Sequence, residues 1–486
     1  MIETQCRSLV IIEPEPMFLV LSMYFIDWVE IFKYADNKIV FVFETLPDYA
    51  FNAARRYTGA MNMGVQQLIY YTQHYKTPAL DSLYTYFKKN ISNLFDALGF
   101  YDDEKTMTKN HLLNSYQDEW KLLVNAPNHH VGTAVIVGAG PSLDDNIEWL
   151  RQNKDKIVIF SGGSALPTLL ANQITPDFHV EIENVAMNFE LLSPLVEKYD
   201  LSNTILVCSS TMDTRSARLF KRRLWFMREG VFASAFFNPG ITTMSWQNPT
   251  VVNTATSAAL ASGFRDILLL GADFGTRDRG IHHSKGSFYE FHEELKKAEF
   301  KFPDTTSANF GGIAYTNEHY LNGVKYLQIL MKEYREARAF NASNGVLIKS
   351  ITPIKLERYK IASVRLNKSD LANHIYDLMP THSWKNNVEG DIIDYLEENF
   401  IDYMAEMRKI IKRKTRKEND SLRYFMEIFM RMSRFGEKKA EFNPIFTGTI
   451  VIFTVFCIYW WRRVYSSDFD NYQKLVRKNF RVVIDL

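Results

Sequence analysis

The feature that most constrains the fold of this chain is the segment AVIVGAGPSL at residues 134–143. An apolar run breaks abruptly into Gly138 and Gly140, and Pro141 and Ser142 suit the first turn of a helix. The segment predicts a buried strand, a glycine turn and a helix start, where backbone N–H groups and the helix dipole can hold a phosphate group. Its spacing matches neither the dinucleotide fingerprint GxGxxG nor the P-loop GxxxxGK[ST].

Apolar strands alternate with helical segments on both sides of this motif. Further strands are predicted at 157–160, 178–182, 204–208, 266–271 and 345–348, and helices at 164–173, 254–263 and 320–340. This alternation predicts a doubly wound, Rossmann-like α/β domain over residues 131–355, whose ligand binds beyond the carboxyl ends of the strands.

Two further domains are predicted on either side of the central one. Residues 1–124 begin with strands at 8–12 and 38–43 around a helix at 17–32, which predicts a βαβ unit in an N-terminal α/β domain. Residues 356–486 have helical spacing, for example at 392–414 and 421–435, and predict a C-terminal helical domain.

Composition narrows the functional class and the cellular location. Lys and Arg total 57 and Asp and Glu total 56, which gives a net charge of +1. This charge lacks the excess of basic residues that nucleic-acid-binding proteins use, so we expect no nucleic-acid partner. Three scattered cysteines and the lack of a signal-peptide pattern favour a reducing, cytoplasmic location.

The uncharged segment 444–461 has the minimum length for a membrane span. Its Thr and Gly content favours a buried helix or two strands instead, and we expect no membrane association.

Small and polar residues follow successive strands of the central section, where a doubly wound fold would bring them together. Each of them alone is also a common turn or capping residue. Together they predict one ligand cleft, with Thr256 and Ser257 placed at a helix start. The candidate binding residues are Gly138, Gly140, Pro141, Ser142, Gly163, Ser164, Glu183, Asn184, Thr256, Ser257 and Asp273.

Three histidines lie where this cleft is expected. His282 and His283 are adjacent in GIHHSKGSFY, a spacing that does not match a zinc site. His319 precedes the last long helix, and near-neutral titration suits it either to a general base or to a structural hydrogen bond. His283 is the alternative candidate for the general base.

These motifs together resemble known transferases. GAGPSL, the segment NP-x4-TATSAALASGF that starts at Asn248, and RDILLLGADF look like the core of bacterial sialyltransferases that use CMP-sugars. With PDFHVEIEN and HHSKGSFY they resemble more closely the motility-accessory-factor (Maf) glycosyltransferases, which share a domain with 6-hydroxymethylpterin pyrophosphokinases. SLVIIEPEPMF is similar to the Maf N-terminal domain, although the glycine-rich strand and helix expected just upstream are absent.

The resemblance implies transfer of a nonulosonic acid, of the pseudaminic or legionaminic type, from its CMP-activated form to Ser or Thr of flagellin, as flagellum assembly and motility require. The implied phosphate cradle is Gly138, Gly140, Pro141 and Ser142. Gly163 or Ser164 and Asn184 would contact the nucleotide, Thr256 and Ser257 the donor carboxylate, and Tyr289 and Tyr315 the phosphate, with His319 as the base. Gly163 stands where the sialyltransferase pattern has Asn.

Two other functions stay open. A pterin or nucleotide pyrophosphokinase would need Mg²⁺, held by carboxylates such as Glu183 and Asp273. A flagellin-binding chaperone could keep a degenerate sugar site. The strand end reads VEIEN and has no DxD pair, so we expect that no metal cofactor is required. Extensions on both sides of the core favour a macromolecular acceptor over a pterin.

Overall fold

The structure of this chain is a computed structural model, and it describes residues 9–34, 39–90 and 101–383 together with Asp402 and Ala405. Inside these ranges, the positions left out are 44, 48, 52, 54–72, 74, 118, 127–129, 238–243, 298–299 and 363–367. The predicted segments 392–414, 421–435 and 444–461 lie outside the described residues. Described residues up to Glu104, together with Asp402 and Ala405, belong to one compact unit, and residues 105–383 belong to a second.

The first unit contains the predicted parallel strand pair. Its elements are β1 (Leu9–Ile12), α1 (Pro16–Ser22), α2 (Trp28–Tyr34), β2 (Ile39–Val42) and α3 (Pro78–Asn90). Strands β1 and β2 pair in parallel, which confirms the βαβ prediction. The single helix expected at 17–32 is wrong, because Asp27 accepts a hydrogen bond from the Glu30 amide (3.0 Å) and caps a second helix.

The second unit alternates strands and helices along most of its length. Its elements, with α4 starting just before the unit, are α4 (Tyr101–Gln117), β3 (Glu119–Leu122), β4 (His130–Val137), α5 (Leu143–Asn153), β5 (Val158–Gly162), α6 (Ala165–Ala171), β6 (Phe178–Glu181), α7 (Met187–Lys198), β7 (Ile205–Ser209), α8 (Thr214–Arg218), β8 (Arg222–Phe226), α9 (Phe232–Phe236), α10 (Val251–Ala261), β9 (Phe264–Leu270), α11 (Phe288–Phe291), α12 (Glu293–Lys296), β10 (Asp304–Ser307), β11 (Ile313–Thr316), α13 (Glu318–Glu333), β12 (Arg338–Asn341), β13 (Thr352–Pro353), a short 3-10 helix (Leu356–Arg358), α14 (Lys368–Leu378) and β14 (Thr381–Ser383).

Ten of these strands form one sheet in the order β13-β12-β9-β4-β5-β6-β7-β8-β3-β14. Every neighbouring pair is parallel except β14 and β3. From β4 the chain adds β5 to β8 on one side and then returns to place β9 on the other side of β4. The doubly wound prediction is therefore confirmed, and the strand order reverses between β4 and β9, where ligands of such sheets bind.

Both faces of the central strands β4, β5 and β9 are covered, so these strands are largely apolar on both sides. On one face Phe160 and Phe178 stack with ring centroids 4.4 Å apart, within a core that also contains α10 and α13. On the other face, α5 and α6 pack over Val135 and Ile159. Full burial of such a side chain contributes about 1.5–3 kcal/mol, which explains why the continuous apolar runs form the central strands.

Three local expectations are wrong or incomplete. The helix expected at 320–340 ends at Glu333. Residues 338–340, which were expected to be its last turn, belong to strand β12. The strand expected at 345–348 is no strand of the sheet, since only Val346 makes an isolated bridge, to Ala308. The section expected to be helical from residue 356 also supplies β14, which pairs with β3. The sheet thus extends beyond residues 131–355 at both ends.

None of the helices in the described part of the chain is long and apolar enough to cross a membrane.

Candidate functional site

Four loops meet at the carboxyl edge of the sheet where the strand order reverses. They follow β4, β5, β6 and β9, which are neighbours in the sheet. We call residues 138–142, 163–164, 182–186 and 271–275 the switch-point loops. They contain most of the residues that the sequence singles out.

The two glycine motifs on either side of the crossover pack directly against each other. The amide of Gly138 donates to Leu270 O (2.9 Å) and that of Gly140 to Gly271 O (2.8 Å). A Cβ atom on either Gly138 or Gly140 would lie 2.6 Å from Gly271 O. Gly271 itself has a φ of +60°, which favours glycine. These glycines are therefore required by the contact between the two loops, whether or not a phosphate binds there.

The start of α5 is occupied by a carboxylate of this chain. Asp273, which is 4% exposed, accepts hydrogen bonds through Oδ2 from the Ser142 hydroxyl (2.9 Å) and the Ser142 amide (3.2 Å). Burial raises the pKa of Asp273 to about 6, against the hydrogen bonds that lower it. Burial also raises the pKa of Asp144 in the first turn. The predicted phosphate cradle is thus bordered by carboxyl groups, and the helix dipole already favours them.

The segment GIHHSKGSFY lies over the starts of α5 and α6. The Ser284 amide donates to Ala139 O (2.8 Å), and the Lys285 amide donates to Asp144 Oδ1 (3.0 Å). The Thr168 hydroxyl in α6 donates to Lys285 O (3.1 Å). A loop that is distant in sequence therefore covers the glycine turn.

The residues after β5 and β6 also lie at this edge. Gly163 has a φ of +43° and its amide donates to Val180 O, and Ser164 directly precedes α6. Glu183 is exposed, whereas Asn184 is partly buried and its backbone oxygen accepts from the Asn110 amide group (2.9 Å).

Two asparagines of α4 hold the loops after β6 and β7. Besides its contact with the loop after β6, Asn110 donates to Thr211 O (3.1 Å). Asn114 donates to Ser210 O and Met212 O (3.1 and 3.0 Å). The sequence did not single out either residue.

His283 and Tyr289 come together in an aromatic cluster. Their rings stack with centroids 3.7 Å apart, and the Phe300 ring lies 5.0 Å from that of His283. Burial, and then the neighbouring His282, lower the pKa of His283 to about 3, so the ring is neutral at physiological pH. Burial, and then the Glu183 carboxylate, raise the pKa of Tyr289, which places the tyrosine within electrostatic reach of the loop after β6.

Thr256 and Ser257 lie inside α10 and not at a helix start, because the cap of this helix is Thr250. The Thr256 hydroxyl donates to Val252 O (2.8 Å) and the Ser257 hydroxyl to Ser245 O (2.7 Å). Both side chains are buried. Binding of a donor carboxylate would require each hydroxyl to give up its backbone bond.

His319 and Tyr315 lie at the opposite ends of a short connection. His319 is exposed in the first turn of α13, with its ring centroid 5.8 Å from that of Tyr320. Tyr315 belongs to the hairpin β10–β11, and the Arg279 guanidinium lies 4.3 Å above its ring. Their roles as base and phosphate ligand stay predictions.

Two polar side chains that the sequence analysis did not single out, His179 and Glu181, are buried beneath this edge. His179 and Glu181 alternate with Phe178 and Val180 along β6, and Ser161 lies opposite His179 on β5. The alternation was visible in PDFHVEIEN as polar residues at every second position of a strand that is otherwise buried. Such residues require partners inside the protein.

The described residues contain no group of three or more His, Cys, Asp or Glu side chains arranged to hold a metal ion. The expectation that no metal cofactor is required stays a prediction.

Comparison with known proteins adds two family matches and two similar proteins. The family model described as Glycosyltransferase Maf N-terminal domain matches residues 1–96, and the model described as 6-hydroxymethylpterin diphosphokinase MptE-like matches residues 105–279. An uncharacterized protein of Treponema pallidum (strain Nichols) is 40% identical over 58 residues, which is 12% of this chain and 28% of that protein. The solved structure of MAf glycosyltransferase from Magnetospirillum magneticum AMB-1 is 24% identical, with a TM-score of 0.73 over 99% of this chain and 74% of that one. This structural likeness supports the fold.

Proposed function

Because this chain belongs to the Maf glycosyltransferase family and carries an MptE-like core, we propose that it transfers a nonulosonic acid from a CMP-activated donor to flagellin. The sugar is of the pseudaminic or legionaminic type, and the acceptors are Ser or Thr hydroxyl groups. The observation that carries the proposal is the succession of a Maf N-terminal match over residues 1–96 and an MptE-like match over residues 105–279.

In this proposal the donor lies over the switch-point loops, where doubly wound sheets bind nucleotides. Gly163, Ser164 and Asn184 border the nucleotide, and the stacked His283 and Tyr289 form one wall of the site. Reaction at the sugar breaks the bond between its anomeric carbon and a phosphate oxygen, through a state with oxocarbenium character. The protein has to stabilise the leaving phosphate and accept the proton of the attacking hydroxyl.

The mass of flagellin tests this function. Flagellin is co-expressed with this chain and with a pathway that makes the CMP-activated sugar, and its intact mass is measured. We expect increments of one nonulosonic acid per modified site. Flagellin of unchanged mass, with the donor present in the cell, would contradict the transferase proposal.

The match to an MptE-like diphosphokinase over residues 105–279 supports a second candidate, diphosphate transfer from ATP to a hydroxymethylpterin. Purified protein is incubated with ATP, Mg²⁺ and the pterin, and the release of AMP is followed. AMP release together with unmodified flagellin would favour the kinase. Flagellin that co-purifies without any added mass or AMP release would instead favour the chaperone.

A further inference from the structure

A buried chain of polar side chains runs along β6 towards the carboxyl edge of the sheet. The Ser161 hydroxyl lies 2.8 Å from His179 Nδ1, and His179 Nε2 lies 3.2 Å from Glu181 Oε1. Ser161 and His179 are fully buried and Glu181 is 2% exposed. We call these three residues the β6 relay. Burial of such groups is costly unless they interact with one another. The Ser161 contact orients the His179 ring, and its Nε2 faces the Glu181 carboxyl group without making a hydrogen bond.

The β6 relay ends next to an exposed carboxyl group. Glu183 follows Glu181 by two residues, immediately beyond the end of β6. On the other side, Glu181 Oε1 lies 3.8 Å from the position that a Cβ of Gly163 would take. Glu181 therefore lies beneath two of the switch-point loops, and Glu183 is the first of the two carboxyl groups that solvent or a ligand reaches.

The surroundings of Glu183 favour its protonated form. Although the side chain is exposed, partial loss of water around the carboxyl group raises its pKa, and the Glu181 carboxylate raises it further. Arg228 acts in the opposite direction. The phenol of Tyr289 also lies within electrostatic reach. A carboxyl group whose proton affinity is raised towards the working pH is better suited to general base catalysis than an ordinary one.

Of the two histidines that the sequence offers as bases, His283 is the less well suited. His283 has a pKa near 3, is stacked on Tyr289, and its Nδ1 lies 2.6 Å from His282 Nδ1. A base this weak provides little driving force for proton transfer. His319 is exposed at the start of α13.

Resting on the proposed transferase function, we propose that Glu183 accepts the proton of the acceptor hydroxyl and that Ser161 and His179 position a second carboxyl group, Glu181, close to it. As the acceptor oxygen bonds to the anomeric carbon, its proton passes to a Glu183 carboxylate oxygen. The bond from that carbon to the phosphate oxygen breaks, and CMP leaves with the electron pair. Glu181 and His179 are positioning residues that do not contact the substrate.

The first test removes the base and keeps the size of the side chain. Glu183→Gln should lower single-turnover transfer to flagellin by about 10²–10⁴-fold, because general base catalysis typically contributes that much. The affinity for CMP, measured by calorimetry, should stay within about twofold of the wild type. The matched control is Glu190→Gln, an exposed glutamate of α7.

The second test separates positioning from a purely structural role. Glu181→Gln removes the like charge beneath Glu183, so the acidic limb of the pH–rate profile should move to lower pH, while the rate on the plateau is largely kept. A uniform loss of rate at every pH would overturn the positioning role. Should this variant fail to fold, Glu183→Gln still decides the assignment of the base.

The outcomes distinguish the two proposals. A wild-type chain that transfers no sugar overturns the transferase function, and the inference with it. An active wild type together with a fully active Glu183→Gln variant overturns the inference alone. Loss of turnover in His319→Ala under those conditions would return the role of base to the histidine.

Discussion

The substitution Gly140→Ala tests whether this glycine is needed for packing between the loops after β4 and β9 or for the approach of a ligand. In the structure the new Cβ would lie 2.6 Å from Gly271 O, a distance that real Cβ atoms essentially never show, and it would also contact the Asp273 carboxylate. Because one obstacle is backbone and the other is a hydrogen-bonded buried side chain, neither can move freely. The loops after β4 and β9 therefore have to separate.

The expected cost follows from this geometry. Overpacking of a close-packed interior typically costs about 1–3 kcal/mol. In domains of about 150–250 residues each kcal/mol lowers the melting temperature by roughly 2–4 °C. We therefore expect Gly140→Ala to melt several degrees below the wild type, in the absence of any nucleotide.

Thermal unfolding followed by circular dichroism measures this effect, and CMP calorimetry accompanies it. The matched control is Gly280→Ala, an exposed glycine where a Cβ would meet only Asp278 Oδ1, at 3.5 Å. An unchanged melting temperature for Gly140→Ala, with weakened CMP binding, would refute the packing argument. It would also return this glycine to the role of phosphate cradle.

Three further predictions concern the start of α5 and the reaction. Ser142→Ala removes a 2.9 Å hydrogen bond to the buried Asp273 and should lower the free energy of unfolding in urea by about 1–3 kcal/mol; no change would show that the bond is weak. The pKa of Asp273 is raised from 3.8 to about 6 on folding, so the unfolded chain loses this proton first as the pH rises. Stability should then fall by up to about 3 kcal/mol between about pH 4 and 6, and an equal fall in Asp273→Asn would contradict this. Transfer to flagellin should persist in EDTA, and a loss that Mg²⁺ or Mn²⁺ reverses would make Glu183 and Asp273 the ligands to examine.

Five strands of the second unit, β4 to β7 and β9, could be predicted from the sequence because parallel strands buried on both faces are continuous apolar runs. Strand β4 ends at Val137, directly before the glycine turn, and β9 ends at Leu270, directly before Gly271. The sequence also limits the number of possible strand orders, because crossover connections in parallel sheets follow few topologies. The edge at which a ligand is expected thus follows from the sequence alone.

Contacts between distant segments could not be predicted in this way. The sequence suggested that Thr256 and Ser257 face a ligand, but their partners are Val252 of the same helix and Ser245 of the preceding loop. Likewise, helical spacing continues past Glu333, and pairing with β9 and β13 turns Arg338–Asn341 into a strand. For Ser257 and for β12, hydrogen bonds to another segment, which a local pattern does not contain, decide the outcome.

The glycine motif and the polar strand carry different kinds of information about function. A side chain on Gly138 or on Gly271 would strike the backbone of the other loop. The close contact between the loops after β4 and β9 therefore explains why both positions are glycine. A chain with this fold needs these glycines even without a nucleotide. By contrast, the packing of β6 does not call for His179 and Glu181, since apolar side chains would cover that face at lower cost. Polar groups kept in such a place, with Glu183 open beyond them, are therefore the stronger sign of chemistry at this edge of the sheet.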